Sequence, residues 1–538
     1  MSCVVTLMAT PLNCPWLLSR SVPQRGKRNT GLPKLDQPWI DPARQEGEIA
    51  PSGPHMRTVT TMVEGRSTLF ERRTQVGNSA TAKADWRPWL LAWLVFLPIA
   101  LFRAGDLSET DTFWEIRTGL FTIQQGSPPA VDPFSWIVHG QPWTLNSWGF
   151  NVAIAAAYRL AGLPGVALAC ASVVAAVGAF VLLLARQLGA SPVVASTLLL
   201  LTSPLLIAWF SARPQLVDYV AVLALTLLMR RLVQDRASAR SLLAIGILTI
   251  VWVNLHAGAL LGVAIVAATT AMVFARRSTR DRRGWCLAAL ITAAASSLIN
   301  PYGIDLLTQT LRVKGASTGI IDEWQHIDPA DPTQMTMIVL GLVALVLAAR
   351  RGDAAFAGAL GVAVIGSVTA IRLLPILLLL ALPGLAAFAS HRSVLGYLHS
   401  RRLVLGPGAA VGVVALLVLS LPSVGHLGRP DPAIYPTSIV QEIPRNCRLF
   451  NSYLLGGFVL FERPDVQVSL DSRNDLYGAK RVAAQERVLR GKGDLAQGLA
   501  GAGCVLVPPT SGLAQRLAGS PQWKLKSSEQ SAALFVRR

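Results

Sequence analysis

The sequence predicts a polytopic α-helical membrane protein of about eleven transmembrane helices, ending in a small extracytoplasmic α/β domain. Three observations predict it. From Pro88 to Leu421 nearly every run of roughly 17–22 residues lacks Asp, Glu, Lys and Arg, which is enough to cross about 30 Å of hydrocarbon. Only 15% of the 538 residues are charged while 52% are apolar, too little charge to cover a water-soluble chain of this length. After Pro422 the long apolar runs give way to short strand-like and helix-like segments.

The apolar runs read as helices, because unpaired backbone amides are not tolerated in hydrocarbon and the alternation of a barrel strand is absent. Residues 1–86 are polar, rich in Pro, Gly, Ser and Arg, and read as a disordered cytoplasmic tail, with Met56 and Met62 as alternative starts. The membrane domain covers residues 87–421. Its first span is Trp89–Phe102, followed by a long first outer loop, residues 105–147. Later spans fall near 165–185, 192–210, 214–229, 242–255, 257–275, 284–299, 335–349, 354–370, 373–389 and 403–421.

The net charge of +19 sits in short loops between these runs and not in a nucleic-acid-binding stripe. Arg230, Arg231, Arg236 and Arg240 fill one loop, and Arg276, Arg277, Arg280, Arg282 and Arg283 another. Arg350 and Arg351 mark a third, and Arg392, Arg401 and Arg402 a fourth. All four fall on the cytoplasmic side only if residues 148–162, which carry Arg159, do not cross the membrane alone. The N-terminus is then cytoplasmic, and the first loop, Ser211–Gln215, Asn300–Gln334 and the tail (422–538) lie outside, in the cytoplasmic membrane of a cell with an envelope. The acids Asp106, Glu109, Asp111, Glu115, Asp132, Asp322, Glu323, Asp328 and Asp331 collect on that outer side.

The tail reads as a small, mainly parallel sheet: CRLFNS, VQVSLDS and GCVLVPP as strands, YLLGGFVLFE and SGLAQRLAGS as helices, and LKSSEQSAALFV as one or two final strands. It has no Gly-rich phosphate fingerprint. Cys170 and Cys286 read as packing residues; Cys447 and Cys504 either pair, if the tail lies outside the cytoplasm, or remain two buried thiols.

Glu109 and Asp111 flank Thr110 just beyond the first span, followed by Phe113, Trp114 and a helix-like stretch that stops at Gly126. Such a pair supplies a general base or holds a divalent cation, and equally suits the N-terminus of the helix it precedes. Asp132-Pro133-Phe134-Ser135 follows, then Trp143 and Trp148. Arg213-Pro214-Gln215, Asn254-Leu255-His256, Asn300-Pro301-Tyr302-Gly303 and Glu323-Trp324 come at span ends, and Asp471, Arg473 and Asp475 in the tail. In this order, over roughly residues 90–480, these motifs resemble the bacterial GT-C membrane glycosyltransferases that use polyprenyl-phosphate sugars, related to the PMT/ArnT-like superfamily. The sequence departs from that pattern at Glu109, at Glu115, where such enzymes often carry His, and at Asn146-Ser147, where an acid is common.

The resemblance implies an inverting transfer from a lipid-linked sugar donor in the bilayer to an envelope acceptor, with Asp111 first and Glu109 second as base. It implies Arg213 and Arg372 for the donor phosphate, and His256, Asn254, Trp114, Glu323, Trp324, Asp471 and Arg473 for substrate. The resemblance fixes no cofactor and leaves metal dependence open; a divalent cation on Glu109 and Asp111 is the one it allows for. Plainer roles exist: His256 as a hydrogen-bonded structural group, Arg372 as an interface residue, and Asp471, Arg473 and Asp475 as an internal ion pair. The rival readings are a transporter or lipid-linked-sugar flippase, disfavoured by the lack of internal repeats, and a noncatalytic envelope scaffold.

Overall fold

The computed structural model describes residues 85–103, 107–235, 237–317, 322–391 and 424–538, with Val414, Val418 and Leu421. Outside the described residues lie the expected tail through residue 84, Asp106, Arg236, the basic loop after His391 and nearly all of the span expected at 403–421.

The expected first span is two helices, α1 (Arg87–Leu94) and α2 (Leu97–Arg103), because Pro98 lacks the N–H an unbroken helix would need there. The first loop folds into α3 (Thr110–Gln125), stopped at Gly126 with φ 76°. Helix α4 (Trp148–Gln187) is broken at Ala161 and Gly162, the latter at φ 63°, just before Pro164. Residues 148–160 therefore form a separate short helix, about 20 Å long at 1.5 Å per residue. That is too short to cross the bilayer alone. It packs along α3, where a Cβ on Gly119 would stand 2.0 Å from the Asn151 carbonyl oxygen.

Then follow α5 (Pro192–Leu206), α6 (Gln215–Arg230), α7 (Ala239–Leu255), α8 (Ala259–Ala275), α9 (Arg283–Ser296), α10 (Ile304–Ser317), α11 (Pro332–Arg350), α12 (Ala354–Thr369) and α13 (Leu374–His391). Among the described residues four helical segments, Trp148–Gln187, Pro192–Trp209, Pro332–Arg350 and Ile371–His391, are long and apolar enough to cross a membrane. Helices α7, α8 and α12 are apolar but shorter, so a count of eleven spans does not follow from helix length. Large apolar side chains point outward from the bundle, among them Leu201, Leu243, Ile291, Val346 and Ile365. A water-soluble surface does not carry so many. At the basic end Arg230 is buried between Asp353, 2.6 Å from its Nε, and the side-chain oxygens of Gln187 and Gln234.

The tail is a five-stranded sheet in the order β2-β1-β3-β5-β4, with β1 (Arg448–Asn451), β2 (Gln467–Val468), β3 (Cys504–Val507), β4 (Trp523–Ser528) and β5 (Ala533–Arg537). The first three strands pair in parallel; β5 runs antiparallel to β3 and β4. The expected mainly parallel sheet is thus mixed. Only four residues separate β4 from β5, enough for a hairpin and too few for a crossover. Residues 474–489, for which the sequence predicts no element, form a helix, α16 counting α14 (Thr437–Gln441) and α15 (Gly456–Glu462) before it. Cys447 and Cys504 form a disulfide that ties the start of β1 to β3 across 57 residues.

Replacing both Cys447 and Cys504 by Ser is expected to cost the tail about 2–4 kcal/mol. Denaturant titration followed by tail tryptophan emission checks it; an unchanged midpoint would show that the bridge does not form in the cell.

Candidate functional site

At the end of the bundle opposite Arg230, loops far apart in sequence converge on Arg213, in the short turn between α5 and α6. Its Nη2 is 3.1 Å from Asp111 Oδ2, and its Nη1 donates to Glu323. Its Nε lies 2.8 Å from Glu109 Oε2, an ionic contact without hydrogen-bond alignment. Burial opposes the charge of Arg213, but Glu109, Asp111 and Glu323 outweigh it and hold the guanidinium protonated. Burial likewise works against ionisation of Glu323, and Arg213, with Arg372 further off, holds its carboxyl below the usual range.

Glu109 is the N-cap residue of α3 and Asp111 lies in its first turn, so the partial positive charge of the helix end also favours both acids. Asp111 Oδ1 accepts from the Trp114 indole N–H at 3.2 Å. The same N–H reaches Ser472 Oγ at 3.0 Å, which links the tail to the acid pair through the indole of Trp114. Beneath them Glu115 is buried, with Oε2 unpartnered. Burial first, then the charge of Asp111, push its carboxyl well above the usual range.

Arg372 sits in the turn before α13 with its guanidinium 4.2 Å from the centre of the Trp324 ring. Among the described residues it has no carboxylate at ion-pair distance. Asp218 Oδ2 is 2.8 Å from His256 Nδ1, and Asp218 Oδ1 accepts from Trp252 Nε1 at 2.7 Å. His256 is therefore a buried, hydrogen-bonded group. Asn254 accepts from Trp148 Nε1 and donates to the Ile250 and Ile299 carbonyls, so its amide is committed to holding α7 in place.

Asp471 and Arg473, expected to meet substrate, have fully enclosed side chains. Arg473 bonds Asp471 at 2.6 and 2.8 Å, Asp132 of the first loop at 2.7 Å, and Tyr477 Oη at 2.9 Å. The rings of Phe134, Trp143 and Tyr477 surround it. This is the internal ion pair, widened into a clamp between loop and tail, and it leaves neither side chain a surface for an acceptor. Asp475 accepts from Trp143 Nε1 at 3.1 Å. Gly457 completes the fit: a Cβ there would lie 2.7 Å from the Thr110 carbonyl oxygen. Among the described residues no cluster of three or more His, Cys, Asp or Glu side chains is arranged to hold a metal ion.

Asp218 has a sequence signal of its own, an acid inside an apolar run, which the expected site did not use. Ser472, and the roles of Asp132 and Asp475 as partners of Arg473 and Trp143, have none, since they join segments more than 300 residues apart.

Arg473→Met leaves Asp132 and Asp471 buried without a cation and is expected to cost about 3–5 kcal/mol. Limited proteolysis should then cut between the bundle and the tail faster than in the wild type. Asp475 gives a pH signature. Burial, only partly offset by Trp143 and Arg473, pushes its carboxyl up to about 6. The folded state therefore holds the proton more tightly than the unfolded chain, and stability falls as pH rises from about 4 to about 6. Asp475→Asn should remove that loss: its melting temperature should exceed the wild type's at pH 7 and not at pH 4.

No protein-family model and no curated protein matches the chain. Solved structures do resemble it. The Archaeoglobus fulgidus oligosaccharyltransferase in the apo form superposes with a TM-score of 0.52 at 12% identity, over 80% of this chain and 70% of that one. Archaeal oligosaccharyltransferase AglB from Archaeoglobus fulgidus, in complex with an inhibitory peptide and a dolichol-phosphate, gives 0.50 at 12% identity over 78% and 69%. ArnT from Cupriavidus metallidurans in the apo state gives 0.52 at 15% identity over 83% and 96%. At these identities the likeness is one of architecture, and the chain has the fold of the GT-C membrane glycosyltransferases.

Proposed function

We propose that the protein is an inverting membrane glycosyltransferase. It transfers a sugar from a polyprenyl-phosphate donor to an acceptor hydroxyl on an envelope glycan, lipid or protein. The reaction runs at the outer face of the cytoplasmic membrane, with the basic loops and the N-terminus inside. The observation that carries this reading is the convergence of Glu109, Asp111 and Glu323 on Arg213, under the tail, at one end of a bundle with the GT-C fold. The dolichol-phosphate bound by AglB supports a lipid phosphate as the donor class.

Asp111 is the base. One of its oxygens accepts from Trp114 and the other meets Arg213, and a carboxylate has lone pairs left for an acceptor hydroxyl. The acceptor oxygen attacks the anomeric carbon, its proton passes to Asp111, and the bond from that carbon to the phosphate oxygen breaks with its electrons going to the phosphate. Arg372 is the cation best placed for that phosphate, because Arg213 is already shared by three carboxylates while Arg372 is held only over Trp324. Glu109 acts chiefly on Arg213, keeping the guanidinium against Asp111. A divalent cation bound by Glu109 and Asp111 would have to displace that guanidinium.

The test is the purified protein in nanodiscs, supplied with labelled polyprenyl-phosphate sugars. Asp111→Asn should lower sugar release or transfer by about 10²–10⁴-fold. Arg372→Gln should lower it by about 10²-fold, with the loss in turnover exceeding that in donor binding. Undiminished activity in Asp111→Asn would remove the base, and a cysteine-accessibility map placing residue 111 in the cytoplasm would remove the whole mechanism.

A further inference from the structure

A cavity of ≈ 340 Å³ opens where the middle of α3, the Asp132–Ser135 turn and the tail between Asn446 and Gln467 meet. It lies apart from the acid pair. Arg117, which lines it, follows Asp111 by six residues on α3, about 120° away round the helix axis.

The charge of this cavity is unbalanced. Arg213 and Arg473 nearby are each saturated by carboxylates. Arg117 is half-buried, has no carboxylate at ion-pair distance among the described residues, and its Nε is enclosed without a hydrogen-bond partner. Its guanidinium lies 5.7 Å from the centre of the Phe134 ring. Asp465, also on the wall, is committed to Arg463 through bonds of 3.0 and 2.8 Å. An open cavity with one uncompensated guanidinium selects an anion.

The remaining lining narrows the class. Phe121 and Phe134 meet edge to face at 5.8 Å and give an apolar wall, while the amides of Asn446 and Gln467 and the outer edge of Asp465 offer donors and acceptors. A ligand that fits has an apolar face, a rim of hydroxyls and a negative charge. The volume is at the small end of ligand pockets, about 300–1,000 Å³.

We propose that this cavity is a second carbohydrate-binding site, which takes an acidic sugar residue with its ring against Phe121 and Phe134, its hydroxyls on Asn446 and Gln467, and its carboxylate or phosphate on Arg117. The site is separate from the transfer reaction and stands whether or not that reaction is the one proposed above.

Binding to the full-length protein in detergent tests it, by calorimetry or ligand-observed NMR with glucuronate, glucose 6-phosphate, glucose and inorganic phosphate. Both acidic sugars should bind at least about 10-fold more tightly than either glucose or inorganic phosphate, a preference of about 1.4 kcal/mol. Arg117→Gln should reduce the acidic sugars to the level of glucose, Arg117→Lys should keep part of the preference, and Phe121→Ala should weaken the sugars without weakening inorganic phosphate. Melting temperatures of the variants equal to the wild type's exclude misfolding as the cause. Equal binding of glucose and glucuronate, or an acid preference that survives Arg117→Gln, overturns the proposal. Inorganic phosphate binding as tightly as glucose 6-phosphate overturns its carbohydrate part. No transfer has to occur, so an inactive protein that shows the Arg117-dependent preference refutes the transferase reading and leaves this one standing.

Discussion

Arg473 has no contact with solvent, and a cation in that position is tolerable only among groups that neutralise it and accept its hydrogen bonds. Asp471, two residues earlier in the chain, supplies one charge, and Asp132 supplies the other from the first loop, 341 residues away. Separating tail from loop would part Asp132 from Arg473 and leave Asp471 as its one carboxylate partner, so the docked geometry is electrostatically favoured. The rest follows from it. With Asp471 and Arg473 fixed, Ser472 is carried to the indole of Trp114, and Trp114 to Asp111. Asp475 takes the indole of Trp143, and the two tryptophans lie 6.1 Å apart.

A division of labour among arginines results. Arg473 is wholly structural, sealed among acids and rings. Arg213 is a junction, one guanidinium serving acids from two loops. Arg372, over Trp324, and Arg117, near Phe134, have π-faces beside them in place of carboxylates. A guanidinium on a ring keeps its donors available, so of these four arginines Arg372 and Arg117 have capacity left for an anion.

Much of this was legible in the sequence, and the limits have physical causes. Apolar runs and basic loops are local signals, so the described helices between residues 165 and 391 lie close to the expected spans, apart from α10, which falls in an expected outer loop; the first span is divided by Pro98 into two helices, and the span expected at 403–421 lies outside the described residues. Glu109, Asp111, Arg213 and Glu323 were each singled out, and the structure brings them together. What sequence could not supply was who meets whom. That Asn254 is used up by Trp148 and two carbonyls, or that Arg473 is sealed by Asp132, depends on tertiary contacts that leave no local period. The order of the sheet was missed in part for the same reason, since the hairpin of β4 and β5 is set by a short connection whose partner strand lies elsewhere.

The contact between Trp114 and Ser472 spans 358 residues of chain. Asp111 is made early in synthesis, whereas Ser472, Arg473 and the β5 strand that completes the tail sheet are made near the end. During most of its biogenesis the chain therefore carries its acid pair with Trp114 and Arg213 but without the tail contact made by Ser472. A polypeptide truncated before residue 472, or one whose tail failed to fold, would have the Arg213 junction but nothing docked over it. On the function proposed above, assembly of the last domain is the arming step for chemistry encoded in the first loop.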